Sequence, residues 1–345
     1  MPRATASKTI APATVGSLPA SYEAGTRPIS DVFADFFPEV PEQMRIHCAK
    51  ESRNDGAYIP PIDWGFTWSK DQVKLGQQIA AGSISRFWLI DGPPGCGKTE
   101  FAYQLAARTN RGLTVVECHE GIEADSLFSF MEPKEGSKSG FGRTEGPIVR
   151  AMKNGDLLVL DELKGLRNSV QLALYNLLDG RPIQLRHNGE IVVPHEEFRV
   201  IATVNDVGDE KRASFKGSFS LTDPLKSRFV GARFAPLPTH EEVAALHKRV
   251  PSICDVIARA LVNIAQAVRS EAVSGTMREF SFRELLHAGR HLVANTAPAD
   301  ATGAEKLQSD GLVAAIAAAY GNKEALSCGT RLQQLVLDQR RLLNL

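Results

Sequence analysis

Apolar and polar residues follow a repeating order over the middle of this chain. Between about residues 64 and 237, short apolar runs are separated by stretches with helical spacing, which is typical of a parallel sheet flanked by helices. The apolar runs predict strands over residues 87–90, 113–117, 157–160, 200–203 and 231–234. A helix is predicted over residues 99–107. The pattern therefore indicates an α/β fold class.

A β-hairpin is predicted as an insertion into this α/β core. Residues 182–185 and 191–193 alternate apolar and polar positions on either side of Asn188 and Gly189. The Asn-Gly dipeptide accepts the positive φ angles of a type I′ turn, which is a favoured connection between antiparallel strands.

After Pro238 the pattern becomes helical. Thr239 and Glu242 have the spacing of an N-terminal capping box, which predicts the start of a helix. Spacings of three and four residues predict one apolar helix face, made of Ile253, Ile257, Leu261, Ile264 and Val268. Further helices are predicted over residues 282–294 and 306–320. We expect a small helical second domain over residues 238–345.

The first 61 residues have a different character. Residues 1–28 are rich in Ala, Thr, Ser, Pro and Gly and have little periodic apolar content, so we expect a disordered tail. Residues 29–61 begin with a short apolar cluster and continue as a polar stretch that prolines interrupt. This composition predicts an arm that packs on its own core or on a neighbouring molecule.

Composition removes several classes of function. The 40 basic and 40 acidic residues balance, so total charge favours neither a nucleic acid nor an anionic membrane as an obligatory partner. The five cysteines are widely spaced and never form a C-x-x-C pair, which argues against a zinc site or a disulfide framework. No run of about 18 apolar residues is present, and the N-terminus lacks the apolar region of a signal peptide. We expect a cytoplasmic protein without a membrane partner.

A phosphate-binding loop is predicted between the first strand and the first helix. The segment GPPGCGKT matches G-x-x-x-x-G-K-[ST] and consists of Gly92, Pro93, Pro94, Gly95, Cys96, Gly97, Lys98 and Thr99. Its backbone N–H groups and the helix N-terminus attract an anion, Lys98 reaches the β- and γ-phosphates, and Thr99 holds Mg²⁺. Glu100, the next residue, is assigned to the same site, whose ligands are ATP and Mg²⁺. The alternative is a glycine-rich turn with an incidental lysine.

A second motif separates this site from those of small-molecule kinases and GTPases. The apolar strand LLVLDE ends in Asp161 and Glu162, at the position where a parallel sheet presents side chains to a ligand. Asp161 is predicted to bind magnesium, and Glu162 to orient and deprotonate the attacking water. The alternative is a strand that ends in a solvated acidic turn.

Two further polar residues follow apolar strands. Asn205 ends the segment ATVN and could hold the lytic water or the γ-phosphate, although an Asn at a strand end is often only a turn former. Arg228 lies in LKSRF, where a guanidinium could lend charge to phosphate oxygens as an arginine finger. A surface salt bridge is the alternative for Arg228.

The ordered set GPPGCGKT, LLVLDE, ATVN and LKSRF resembles the AAA+ ATPases. The resemblance is narrower with the branch that contains MoxR-type chaperones and the small subunit of cobaltochelatase, because residues 145–152, the Asn-Gly hairpin and the N-terminal segments 31–33 and 60–63 are also similar. It covers about residues 30–291. It implies an AAA+ P-loop αβα core with a parallel sheet over residues 62–237, followed by a small α-helical lid and C-terminal helices over residues 238–345.

The same resemblance implies roles for single residues. Asn205 would be sensor 1, Arg228 would be the finger that acts on a neighbouring subunit's nucleotide, and Arg283 would be sensor 2. It also implies a homo-oligomeric ring, usually of six subunits, and a partner with a von Willebrand factor A (VWA) domain. Members of the branch remodel such a partner or insert a metal or cofactor into a target enzyme.

Three hypotheses follow. The first is an ATP-hydrolysing ring subunit that remodels or activates a partner protein. The second is a nucleotide-driven nucleic-acid motor of a restriction-type system, against which the balanced charge argues. The third is a scaffold that binds nucleotide and scarcely hydrolyses it. Residues 129–143 are interpreted as a polar loop that faces either a ring pore or solvent.

Overall fold

The computed structural model of the chain describes residues 25–33, 45–48, 57–133, 140–186, 188–205, 219–273, 280–295, 315–316, 318–319, 334–335 and 337–338. Strands in these ranges are β1 (Gly25–Pro28), β2 (Arg45–Cys48), β3 (Phe87–Gly92), β4 (Leu113–Glu117), β5 (Ser129–Pro133), β6 (Phe141–Glu145), β7 (Leu157–Asp161), β8 (Ile183–Gln184), β9 (Ile191–Val192), β10 (Arg199–Asn205) and β11 (Val230–Arg233). Helices are α1 (Ile29–Val32), α2 (Lys70–Ala81), α3 (Lys98–Arg108), α4 (Ala124–Phe128), α5 (Pro147–Asn154), α6 (Asn168–Ala173), α7 (Tyr175–Leu178), α8 (Asp223–Lys226), α9 (Thr239–Arg249), α10 (Asp255–Val273) and α11 (Phe282–Asn295).

Five strands form one parallel sheet in the order β11-β3-β10-β7-β4. All five correspond to the strands that the apolar runs predict, and β3 and β10 each extend two residues further, to Gly92 and Asn205. Because the strands are parallel, their carboxyl ends lie at one edge of the sheet. The predicted α/β fold class is confirmed, and this edge is where a ligand is expected.

Helices cover both faces of the sheet. On one face, α2 and α3 pack Ile79, Phe101 and Leu105 against the sheet residues Ile90, Val159 and Ile201. On the other face, α5, α6 and α7 pack against the remaining apolar sheet residues, among them Leu158 and Leu160 of β7. Side chains of a strand point alternately to opposite faces, so a continuous apolar strand such as β7 supplies both layers. The central part of the chain is therefore a three-layer αβα structure.

The N-terminal arm packs on this core. Phe33 is fully buried, and its ring lies 4.7 Å from that of Trp68 in an edge-to-face arrangement. The Arg108 guanidinium donates a 2.7 Å hydrogen bond to the carbonyl oxygen of Val32. The arm thus contacts its own core, which was one of the two predicted alternatives. The expectation of disorder up to residue 28 is wrong for β1, because backbone pairing with β2 orders Gly25–Pro28 without an apolar pattern.

The hairpin of β8 and β9 is present, but its turn differs from the predicted type I′ turn. Gly189 has a φ of 74°, whereas Asn188 is not among the residues with positive φ. The strand pairing continues to a bond from Leu185 N to Glu190 O of 2.8 Å, and Gly189 N donates to Leu185 O at 2.9 Å. The turn therefore lies between Leu185 and Glu190, and Gly189 takes the left-handed conformation in it.

A second hairpin replaces the loop that was expected over residues 129–143. Strands β5 and β6 pair antiparallel, with Ser129 opposite Glu145. Met131 and Phe141, at the outer end of this hairpin, are each more than half exposed. Residues 134–139 lie outside the described residues. The polar composition of the segment concealed its strands, since neither of its faces is fully buried.

Helices α9, α10 and α11 pack on each other after the sheet. The predicted apolar face of α10 is confirmed, because Ile257, Leu261, Ile264 and Val268 are all buried. The helix expected over residues 306–320 lies mostly outside the described residues, although four of its positions are described and helical. Among the described residues, no helix combines the length and the apolar character needed to cross a lipid bilayer.

The predicted capping box at the start of α9 is wrong. Pro238 occupies the N-cap position, Thr239 is already helical, and no side chain caps the helix. The Glu242 carboxylate, 1% exposed, instead forms a bidentate pair with Arg269 at 2.7 and 2.8 Å and accepts a bond from Gln266. A buried carboxylate needs a charged partner more than it needs a backbone N–H, because desolvation of an unpaired charge is costly.

We expect Arg269→Ala to lower the free energy of unfolding by about 3–5 kcal/mol, because the Glu242 carboxylate would remain buried without its cation. In a chain of this size such a loss corresponds to a fall in Tm of about 6 °C or more. Denaturant and thermal unfolding followed by circular dichroism measure both quantities.

Arg259→Ala is the matched control, since Arg259 lies on the same helix and pairs with Asp255 at 2.6 Å while both side chains stay more than half exposed. Solvent screens that pair, so its loss should change the unfolding transition much less. If the two variants shifted the unfolding transition equally, burial of the Glu242–Arg269 pair would not be the reason for its contribution to stability.

Candidate functional site

A cleft of about 1150 Å³ opens at the carboxyl edge of the sheet. One wall consists of the loop before α3 together with the ends of β7, β10 and β11, and the other wall consists of α9, α10, α11 and the residues just before α11. The sequence-predicted residues that line it are Pro93, Pro94, Gly95, Cys96, Gly97, Lys98, Thr99, Glu100, Asp161, Glu162, Asn205 and Arg283. Motifs that are far apart in the chain thus share one cleft.

The loop between β3 and α3 exposes backbone donors to this cleft. Gly95 and Gly97 have φ angles of 73° and 89°, which residues with a Cβ rarely adopt. Gly97 is the N-cap residue of α3, and no side chain satisfies the first N–H groups of the helix. Open N–H groups and the positive end of the helix dipole together favour an anion at this position.

Lys98 lies at the floor of the cleft and is 7% exposed. Its Nζ donates to the carbonyl oxygens of Gly92 and Pro93 at 2.7 and 2.8 Å and to Asn205 Oδ1 at 2.9 Å. These three acceptors are neutral, so they orient the ammonium group without neutralising its charge. The charge therefore remains available to an anion. Asn205 lies next to this ammonium group in the cleft.

The two acidic residues at the end of β7 differ in their surroundings. Asp161 Oδ1 accepts hydrogen bonds from the Thr99 hydroxyl at 2.8 Å and from the Thr203 hydroxyl at 2.5 Å. Glu162 is exposed to the cleft, and its backbone N–H donates to Thr203 Oγ1 at 3.0 Å. Its φ of 55° and ψ of 51° place a non-glycine residue in the left-handed region, a feature that is frequent at functional sites.

Thr99 and Asp161 together fit a magnesium ion. A hydroxyl oxygen and a carboxylate oxygen lie 2.8 Å apart at the cleft. Mg²⁺ prefers such hard oxygen donors and is usually held by one or two side chains, with phosphate and water oxygens completing the shell. Within the described residues, no cluster of three or more His, Cys, Asp or Glu residues offers a cage made of protein alone.

Two cysteines lie beside these charged groups. Burial raises the pKa of the Cys96 thiol, although the nearby Lys98 ammonium acts in the opposite direction. Burial, together with the negative charges of Asp161 and Glu162, raises the pKa of Cys118 to about 12. Both side chains are therefore neutral thiols at physiological pH, and they add no negative charge next to an incoming phosphate.

The lid side of the cleft contains residues that the sequence did not single out. Ser281 approaches the phosphate loop so closely that a Cβ on Gly95 would lie 2.5 Å from its own Cβ. Arg269 lines the cleft, and its Nε donates to Phe280 O at 2.6 Å. Arg283 is exposed on the same wall. The helical periodicity of this region predicts its core face and says nothing about which residues meet the loop.

Arg228 does not line the cleft of its own chain. Its Nε lies 2.8 Å from Asp179 Oδ1, Nη1 donates to Pro224 O at 2.6 Å, and the guanidinium carbon lies 4.2 Å from the centre of the Tyr175 ring. The side chain is 24% exposed. Both sequence interpretations are compatible with this placement, because a surface pair and a group that acts on another subunit lie equally outside the cleft.

A family model described as the AAA domain of the dynein-related subfamily matches residues 88–229. Among similar proteins, NorQ of Paracoccus denitrificans is 32% identical over 193 residues, which cover 55% of this chain and 66% of that protein. CbbQ of Hydrogenophilus thermoluteolus is 28% identical over 66% of this chain and 81% of its own length. The denitrification regulatory protein NirQ of Stutzerimonas stutzeri is 28% identical over 62% of this chain and 74% of its own length.

The likeness is partial for several relatives. The protein SSP1341 of Staphylococcus saprophyticus is 27% identical over 47% of this chain, and the match spans 60% of its length. Among solved structures, a RuvB variant of Thermotoga maritima matches with 16% identity and a TM-score of 0.43, over 65% of this chain and 60% of that one. At this TM-score the structural match carries no argument, so the similarity of this chain to known proteins rests on the relatives matched by sequence.

Proposed function

Because this chain belongs to the AAA+ ATPases, in the MoxR-type branch, we propose that it is an ATP-hydrolysing ring subunit that remodels or activates a partner protein. The observation that carries the proposal is that two hydrogen-bonded pairs, Lys98 with Asn205 and Thr99 with Asp161, line one cleft. We assign residues 62–237 to the nucleotide-binding domain and residues 238–345 to the lid and C-terminal helices.

The first step is the binding of ATP. Open backbone N–H groups at the start of α3 face the position of the phosphates, and the Lys98 ammonium adds a full positive charge. Glu100 lines the same cleft from the first turn of the helix and accepts a 3.1 Å hydrogen bond from Gln104. Arg283 approaches from the lid, where closure of the lid would bring a second cation to the phosphates.

Hydrolysis depends on the polar groups at the strand ends. Thr99 and Asp161 would hold Mg²⁺, which draws electron density from the phosphate oxygens when it is bound. Glu162, exposed in the cleft next to Asp161, orients the attacking water and takes its proton. The Asn205 amide, tied to Lys98, lies opposite and holds either the water or a γ-phosphate oxygen. Phosphoryl transfer needs this kind of positioning more than covalent participation by the protein.

The placement of Arg228 is compatible with a ring. If its guanidinium contributes to hydrolysis, it does so at another copy's nucleotide, since it lies outside its own cleft. We propose a homo-oligomer, with six subunits as the family resemblance implies. In such a ring each nucleotide lies between two subunits, so hydrolysis couples to movement of one subunit against the next.

The partner is proposed from the family relationship. One relative is named a denitrification regulatory protein, which supports a regulatory action over that of a metabolic enzyme. We propose that the ring acts with a protein that carries a VWA domain and works in the cytoplasm. No disulfide joins the four described cysteines, Cys48, Cys96, Cys118 and Cys254, which is compatible with a reducing compartment.

Glu162→Gln should lower steady-state ATP turnover by about 10² to 10⁴, the usual contribution of a general base, while ATP binding persists. The amide keeps the size of the side chain but cannot take the proton from water. Phosphate release measures turnover, and titration calorimetry measures binding. Unchanged turnover would remove the assignment of Glu162 as the base.

Glu117→Gln is the matched control for this substitution. Glu117 ends β4, the neighbouring strand, in register with Asp161, but it does not line the cleft. Its replacement changes the charge at the same sheet edge without touching the site, so turnover should stay within about threefold of the wild type. A comparable loss of turnover in both variants would indicate that the negative charge of the sheet edge as a whole matters, and that Glu162 is not a specific base.

A further inference from the structure

Thr203 lies within the segment ATVN, but that motif assigns a role only to Asn205. It lies in β10, where Ala202 is paired with Leu160 of β7 and Thr203 itself is paired with Ile90 of β3. Extending the β7 register by one residue sets Thr203 beside Asp161, so the two side chains project from the same face. Thr203 is 1% exposed, yet it is one of the residues that line the cleft.

The hydroxyl group of Thr203 joins the two acidic residues. A hydroxyl has one proton to donate, and here it goes to Asp161 Oδ1 at 2.5 Å. The oxygen keeps lone pairs, and one of them accepts the backbone N–H of Glu162 at 3.0 Å. One buried atom thus holds the carboxylate of one acidic residue and the main chain of the next.

These two bonds have different consequences. Asp161 Oδ1 already accepts the Thr99 hydroxyl, so a second bond to the same oxygen, from Thr203, further restricts the rotation of the carboxylate. Glu162 has a φ of 55°, which an L-residue adopts at a cost and keeps only where its surroundings determine it. The bond to its N–H holds this backbone conformation, and the conformation sets the direction in which the Glu162 side chain leaves the strand.

We propose that Thr203 is a positioning residue for ATP hydrolysis, which acts through Asp161 and Glu162 without touching the substrate itself. The inference rests on the proposed function, because it assigns Thr203 a part in that same reaction. A simpler role is also available, since β-branched residues are favoured in strands and fill buried space. Valine would serve this simpler role equally well, and it cannot form either hydrogen bond.

The test compares Thr203→Val, which keeps the shape and loses both bonds, with Thr203→Ser, which keeps the hydroxyl. For Thr203→Val we expect kcat for ATP to fall at least about tenfold, while KM and the affinity for ADP stay within about threefold of the wild type. Thr203→Ser should keep kcat within about threefold of the wild type. Loss on removal of the hydroxyl and rescue by serine together separate positioning from packing.

Thr109→Val is the matched control. Thr109 is also fully buried, and its hydroxyl donates a 2.6 Å bond to Leu105 O at the end of α3, outside the cleft. Its replacement should leave kcat within about threefold of the wild type even if stability falls. Equal losses of kcat in Thr109→Val and Thr203→Val, or a loss of ADP binding by Thr203→Val, would overturn the inference in favour of a structural role.

The same measurements distinguish failure of the inference from failure of the proposed function. Suppose that the wild type releases phosphate faster than Lys98→Ala, and that Thr203→Val releases it as fast as the wild type. In that case only the role of Thr203 is overturned. If the wild type releases no more phosphate than Lys98→Ala, the ATPase function itself is overturned, and the role of Thr203 with it.

Discussion

Lys98→Ala should lower the affinity of this chain for ATP at least about a hundredfold, equivalent to about 2.8 kcal/mol. The lysine is buried at the cleft floor, and its hydrogen-bond acceptors, which include the Cys96 thiol, are neutral. The substitution removes both a charge and its charge-assisted bonds to phosphate. Titration calorimetry with ATP and Mg²⁺, carried out in the Glu162→Gln background to prevent turnover, gives the dissociation constant.

The control for this substitution is Lys153→Ala. Lys153 pairs with Glu145 and Glu190, lies outside the cleft and is 35% exposed. We expect its loss to leave the dissociation constant within about threefold of the wild type. Retention of wild-type affinity by Lys98→Ala would refute the phosphate-binding role of the lysine and of the loop that presents it.

Arg228→Ala should reduce ATP hydrolysis by about 10³ or more and leave nucleotide binding nearly intact. The expected split follows from its position, because Arg228 lies outside its own cleft and only a neighbouring subunit's nucleotide is open to it. Phosphate release and calorimetry again measure the two quantities separately.

Two variants separate a finger from a surface salt bridge. Asp179→Ala removes the partner of Arg228 and leaves the guanidinium in place, so it should preserve most of the turnover. If the pair matters only for folding, Asp179→Ala and Arg228→Ala would lose activity equally. Arg181→Ala, at an exposed arginine two residues beyond Asp179, controls for the loss of a positive charge in this region and should leave turnover unchanged.

Mixing Arg228→Ala with Glu162→Gln subunits tests action between subunits. In a mixed ring, an Arg228→Ala subunit still has its own Glu162, and a Glu162→Gln neighbour still supplies Arg228. Such mixed sites should recover phosphate release that neither variant shows alone. Action in trans loses its support if no mixing ratio yields more activity than the sum of the separate variants.

Much of the fold could be predicted because strands that are buried on both faces of a sheet consist mostly of apolar residues. The strands β3, β7 and β10 each contain a run of at least three apolar residues, so their positions could be recognised without any long-range information. The apolar face of α10 was equally clear from its spacing. Where local hydrogen bonding competes with other partners, the predictions were wrong: Glu242 pairs with Arg269 instead of capping α9.

Segments without an apolar pattern could not be predicted in this way. β1 is ordered by pairing with β2, and β5 by pairing with β6. Backbone hydrogen bonds between strands do not require particular residue types, because every residue except proline offers the same donor and acceptor. Disorder was therefore expected over Gly25–Pro28, and a loop over residues 129–143, where strands are found.

The sequence by itself determined that a glycine-rich loop, an acidic strand end and a polar strand end are present in the order of a nucleotide-hydrolysing protein, since those groups lie in contiguous motifs. Only the tertiary structure decided how they meet. It places Thr203 between Asp161 and Glu162, brings Ser281 of the lid against Gly95, and leaves Arg228 outside the cleft. These relations depend on strand order and on the packing of the lid, and contacts between residues about 40 to 190 positions apart have no local signature.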